Sequence, residues 1–186
     1  MQNQLTFLHS YYENDKKNNF IIEVSLDSYT DIFNDYDPSP FKKRDLNPDL
    51  LEYLDDCSND IPVKYPIIIQ FNIPKKIHDK SQENKIKDGF KTYYSFTSYS
   101  AKKEYNNLLI QNFKNVLIAI FLLLLGLTLE FHSNLLIKML SNIIIIGGWV
   151  FLWEAITQIF FERRSLKEKY LVYKRFNMAA ITFNLV

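Results

Sequence analysis

Two apolar runs late in the chain limit what it can fold into: VLIAIFLLLLGLTL at residues 116–129 and IIIIGGWVFLWEAITQIFF at residues 143–161, separated by a short connection. A bilayer core about 30 Å thick needs about 20 helical residues at about 1.5 Å each, so the second run alone is about long enough to cross it. The first reaches about 33 Å if its helix extends back to Leu108, which leaves Gln111, Asn112 and Lys114 near the headgroups. Residues 135–140 read either as a short interfacial helix or as an early start of the second span. The expected architecture is an α+β membrane protein: a small cytoplasmic sheet-and-helix domain joined to a transmembrane helical hairpin, with spans at about 108–129 and 143–161.

Orientation follows from the basic residues beside the spans, because Lys and Arg resist translocation. Lys102, Lys103 and Lys114 precede the first span and Arg163, Arg164, Lys167 and Lys169 follow the second, whereas the connection holds only Lys138. Both termini are expected in the cytoplasm. The start, MQNQLTFLHSYYENDKKNNF, lacks the basic stretch and apolar core of a cleaved signal peptide. One cysteine, Cys57, excludes an intramolecular disulfide, and it reads as a small buried apolar residue.

The polar residues 1–18 are expected to be poorly ordered, and residues 19–82 to form the cytoplasmic α+β domain. Within it, FIIEVSL (residues 20–26) and YPIIIQFNI (residues 65–73) read as strands, the second ended by Pro74. Ser28 stands where an N-cap belongs. Asn47-Pro48-Asp49 is a helix start with a mechanism: Asn47 can cap, Pro48 suits the first helical position, and Asp49 favours the positive end of the dipole. From residue 83 the period becomes helical, placing Ile86, Phe90, Tyr94, Ala101, Tyr105 and Leu108 on one face of an amphipathic connecting helix over residues 83–107. After the hairpin (residues 108–161), residues 162–186 read as a helix and a terminal strand, MAAITFNLV, that can return to complete the sheet.

Few residues are arranged for chemistry. Glu154 is the sharpest, because a carboxylate inside a span is costly and tends to face protein or water. Gln158 lies one turn further on the same face, and Lys114 lies at similar depth on the antiparallel helix, where it could pair with Glu154. These three form the candidate membrane polar site. Small residues recur at seven-residue spacing, Ala119 with Gly126 and Gly148 with Ala155, a stripe suited to close packing within the hairpin or between copies. In the domain, Asp35, Asp37 and Ser39 imitate a calcium loop, but Pro40 stands where glycine is needed and Leu46 where the bidentate Glu belongs, so no metal site is expected. Asp37, Phe41, Arg44 and Asp45 instead form a candidate interaction surface on a rigid Pro-containing turn, with Phe41 as its anchor and Arg44–Asp45 as a surface ion pair. His9, His78 and His132 are scattered, and no glycine-rich phosphate loop or nucleophile motif occurs. The lysines and aromatics of residues 85–105 suit a helix lying on anionic headgroups better than a nucleic-acid surface.

The block Asp37-Pro38-Ser39-Pro40-Phe41, followed by Arg44-Asp45-Leu46 and Pro48-Asp49, then an amphipathic helix, Gly148-Trp149, Trp153 and a terminal strand, resembles a family of small bacterial two-pass membrane proteins. The likeness covers about residues 20–185 and implies no activity, cofactor or catalytic residue. The function expected is a noncatalytic, homo-oligomeric interaction or sensory module at the inner membrane, with a cytoplasmic protein partner. The alternative is an oligomeric channel or transporter accessory with Glu154 in its membrane pathway.

Overall fold

Large apolar side chains at every second position of Ile67–Ile73 bury Ile67, Ile69, Phe71 and Ile73 and leave Ile68, Gln70 and Asn72 half-covered, the period of a strand with one face on a core. The computed structural model describes residues 8, 10–15, 19–40 and 44–186. In it this strand (β2) is the centre of a parallel sheet ordered β1-β2-β3, with β1 at Phe20–Ser25 and β3 at Ala180–Leu185. Ile22 pairs with Ile69, and Ile69 in turn with Ile181. The C-terminal strand thus joins the sheet begun near the other end of the chain. The chain divides into two compact units: residues up to Tyr99 with Leu171–Val186, and Ser100–Tyr170.

In the first unit, helix α1 (Pro48–Asp60) connects β1 to β2, the start of α2 (Lys80–Glu130) follows β2, and the end of α4 (Arg163–Met178) leads into β3. Leu50 and Leu54 of α1, Ile86, Phe90 and Tyr94 of α2 and Phe176 of α4 share one core with the inner face of the sheet. Aromatic contacts link the layers: Phe71 meets Phe90 edge-on at 5.6 Å and Tyr94 stacks on Phe176 at 4.7 Å. Such pairs contribute about 0.5–1.5 kcal/mol each beyond area burial. The opposite face of the sheet carries one apolar row, Ile21 beside Ile68, and is otherwise polar. There Gln70 Nε2 donates to Glu23 Oε1 (2.8 Å) and Asn184 Nδ2 to Asn72 Oδ1 (3.0 Å), a cross-strand ladder on a parallel sheet, a type usually covered on both faces.

Local starts form for the expected reasons. Ser28 caps a 3-10 turn (Tyr29–Ile32) in a reciprocal box with Asp31. Asn47 Oδ1 accepts the Asp49 N–H at 2.9 Å, with Pro48 in the first turn of α1. Asp79 caps α2 by accepting from the Ser81 and Gln82 N–H groups, which hold its carboxyl below the usual range.

Two readings need correction. Poor order over residues 1–18 does not hold for Leu8 and Tyr12, which are buried. Tyr12 Oη donates to Asp60 Oδ2 at 3.1 Å, and Asn14 bridges to Phe20 at the outer edge of β1. These two apolar side chains are spaced to share a face, a signal masked by polar neighbours. Within residues 85–105, Ile86, Phe90 and Tyr94 are turned into the core and not toward headgroups, while Phe96 and Tyr99 stay exposed.

In the second unit, α2 continues to Glu130 and α3 (Leu135–Thr157) returns, passing through a π-helical turn (Gln158–Glu162) into α4. Asn134 caps α3 by accepting the Leu136 N–H at 2.9 Å, so residues 135–140 are the early start of the second apolar helix. Both Lys80–Glu130 and Leu135–Met178 are long and apolar enough to cross a membrane, and only 6% and 11% of their most apolar windows are buried.

Candidate functional site

The hairpin packs along its small residues. Ala119 and Gly126 on α2, with Ser141, Gly148 and Ala155 on α3, are buried. A Cβ on Gly148 would lie 2.9 Å from Leu123 Cγ, and one on Gly126 would collide with Ile145. Close approach brings side-chain donors to backbone of the facing helix: Ser141 Oγ donates to Gly126 O (2.7 Å) and Asn112 Nδ2 to Ala155 O (2.7 Å). The stripe is therefore used inside the hairpin, where the glycines let the backbones meet.

The Asn112–Ala155 contact also fixes depth. Lys114 lies about 3 Å and Glu154 about 1.5 Å further toward the connection, so they are level, as their spacing suggested. The expected pairing between them is absent. Two residues along a helix turn the chain by about 200°, so when Asn112 faces α3 its neighbour Lys114 faces away. Glu154, one residue from buried Ala155, is likewise exposed. Its Oε1 accepts from Gln158 Nε2, one turn further along, at 2.9 Å, while Gln158 Oε1 is buried with no hydrogen-bond partner. Within a single hairpin the polar groups of the seam, Ser141 and Asn112, are bonded to backbone carbonyls of the facing helix.

In the first unit, the Asp37 carboxylate staples a loop. Its Oδ1 accepts the Ser39 N–H (2.9 Å) and its Oδ2 the Asp45 N–H (2.7 Å), and these bonds hold its carboxyl below the usual range. Arg44 Nε donates to Asn34 O (2.9 Å), and Arg44 lies 3.8 Å from Asp35. The anticipated Arg44–Asp45 ion pair is therefore not formed: Arg44 is bound back into its own loop and the Asp45 side chain faces solvent. Phe41 lies outside the described residues, as does His9. The stapled loop presents Tyr36, 96% exposed, a residue that sequence reading passed over because nothing in its spacing separates it from other loop tyrosines.

Two buried polar groups were also missed. Arg175 is 7% exposed and donates to Ser58 O (2.6 Å), Ile61 O (2.9 Å), Pro62 O (3.2 Å) and Ser58 Oγ, closing the C-terminal end of α1. Burial lowers its pKa to about 10, which still leaves it charged at neutral pH. Its position three residues after Val172 and one before Phe176 could have marked it as inward. The carboxylate of Glu83, also buried, meets His78 Nδ1 at 2.9 Å and accepts from Tyr29 Oη at 3.3 Å, which joins α2 to the loop after β1. Among the described residues, no group of three or more His, Cys, Asp or Glu side chains is placed to hold a metal ion. Comparison with known proteins finds no matching family model, curated protein or solved structure.

Proposed function

We propose that this chain is a two-pass protein of a bacterial inner membrane whose α+β unit is a noncatalytic interaction or sensory module on the cytoplasmic side, working as a homo-oligomer. The observation that carries the reading is the exposure of Ile110, Phe113, Leu117, Phe121, Ile146 and Trp153 around both helices of the second unit, while the first unit has a closed core of its own. A helix pair apolar on its outer faces is solvated by lipid, since a contiguous apolar surface of that extent is rare on a protein in water. The basic residues around the apolar runs favour cytoplasmic termini. The stapled loop supports the interaction role: Asp37 and Arg44 hold its shape, and Tyr36 with Asp45 forms its outward surface.

Pull-down from detergent-solubilised membranes tests the role. Tyr36→Ala and Asp45→Ala should each reduce recovery of a cytoplasmic partner by about tenfold, the effect of losing about 1.4 kcal/mol at a contact. Unchanged recovery with both variants would remove this loop as the contact surface.

A further inference from the structure

The two edges of the sheet end differently. Beside β1, Asn14 bridges to Phe20 and the Ile21 N–H donates to Glu13 O (2.8 Å), so the chain itself closes that edge. β3 is the other edge, and among the described residues no strand pairs with its far side. The Val186 N–H donates to Ile73 O (3.0 Å) and its carbonyl accepts from the Lys75 N–H (3.2 Å). By the period of a strand, Ala180, Thr182 and Asn184 also bond toward β2, and the N–H and C=O groups of Ile181, Phe183 and Leu185 point outward. Nothing in β3 guards that edge, since AITFNL holds no charge, proline or glycine. The core is open at the same place: Ile69 and Phe71 of β2 are buried, whereas Ile181 and Phe183 are half-buried and Leu185 is exposed. A groove of about 420 Å³ opens beside the start of β3, lined by Lys87, Phe90 and Lys91 of α2 with Asn177, Ala179 and Ile181.

We propose that β3 receives, as a fourth strand, an extended acidic segment of a protein partner, its backbone bonded to Ile181, Phe183 and Leu185 and its carboxylates, at alternate positions, set on Lys87 and Lys91. Charge complementarity selects this occupant. Lys87 Nζ lies 5.5 Å from the centre of the Phe183 ring, and neither lysine has an ion-pair partner among the described residues. No carboxylate among the described residues lines the groove; Asp88, between the lysines in sequence, lines a separate surface with Thr92 and Phe96. Spacing agrees as well: four residues of α2 rise about 6 Å, and alternate residues of a strand lie about 6.8 Å apart. Pairing β3 with a second copy of itself would instead gather the lysines of both copies on one face of the joined edge, a repulsion that an acidic strand turns into attraction.

Fluorescence anisotropy of a labelled, capped peptide of alternating Thr and Glu, about eight residues long, titrated with the full chain in detergent micelles tests this. The wild type should bind it. Lys87→Glu together with Lys91→Glu should weaken binding by at least about tenfold and favour the matching peptide of alternating Thr and Lys instead. Methylating the peptide's amide nitrogens at every second residue separates strand addition from attraction of charge alone. Methylation of one alternate set removes the N–H groups that reach β3 and should abolish binding, while methylation of the other set, directed away, should leave it intact. Equal effects of the two sets, or equal binding by the wild type and the doubly substituted chain, overturn the proposal. So does a wild type that binds no peptide, the result expected if a second copy holds the edge. The loop at Tyr36 and Asp45 proposed above as a contact shares no residue with this groove, so Tyr36→Ala should bind the peptide like the wild type, and failure of either surface is read without the other.

Discussion

Replacing Arg175 with methionine isolates the most heavily bonded buried charge of the first unit. The guanidinium satisfies carbonyls of Ser58, Ile61 and Pro62 at the end of α1, where a helix leaves acceptors unpaired. A buried acceptor orphaned by mutation costs about 1–3 kcal/mol. Methionine keeps most of the aliphatic volume and relieves the desolvation of a buried cation, which returns part of that loss. With the Ser58 and Ile61 acceptors buried and Pro62 only half-buried, the balance is about 3 kcal/mol of destabilisation. At about 4 °C per kcal/mol for a unit of this size, the melting temperature should fall by about 12 °C. Arg175→Lys retains the charge but not the planar fork, and should fall between the two. Both tryptophans, Trp149 and Trp153, lie in α3, so the tyrosine near-UV circular dichroism follows mainly the first unit while tryptophan fluorescence follows the hairpin. A melt of Arg175→Met within about 1 °C of the wild type would refute the capping role.

Phe71→Ala should cost about 3–5 kcal/mol, because its ring touches both Phe90 and Phe183; urea unfolding read by the same tyrosine signal checks it. Gly148→Leu should force the hairpin apart at Leu123 at a cost of about 1–3 kcal/mol, seen as lost disulfide cross-linking between Asn112→Cys and Ala155→Cys in a Cys57→Ser background. Because the folded pKa of Asp37 lies below its ordinary value, its contribution to loop order should be complete above about pH 4 and vanish as pH falls through the folded value. Protection of the Ser39 and Asp45 amides, taken relative to their intrinsic exchange rates, should therefore fall in acid, and Asp37→Ala should remove that protection at neutral pH as well.

What the sequence disclosed and what it hid divide along physical lines. Local signals worked where one period or one cap decides the outcome: the Ser28 and Asn47 caps, the β2 alternation, the Ile86-Phe90-Tyr94 face and the apolar helices all appear where their residues imply. The small-residue stripe was visible too, but not its use, since seven-residue spacing is equally compatible with packing inside a hairpin or between copies. Only the Asn112–Ala155 and Ser141–Gly126 contacts decide it. Depth along the hairpin was legible for Lys114 and Glu154, whereas rotation about each helix was not, and rotation separates them. Asp37 and Arg44 read as a surface because charged residues beside prolines resemble one; their bonds to Asp45 N–H and Asn34 O depend on a loop closure that spacing alone does not encode. Arg175 was hidden among the charges of α4, whose buried partners come from a helix more than a hundred residues earlier.

Whether lipid surrounds the second unit is tested most directly by impermeant maleimide labelling of intact spheroplasts in a Cys57→Ser background. Ser133→Cys, in the connection between α2 and α3, should label from outside, while Asn184→Cys in β3 should label only after lysis, with the protein remaining in the membrane after alkaline extraction. Labelling at both or neither position in intact cells, or release of the protein by alkali, would contradict the two-pass arrangement.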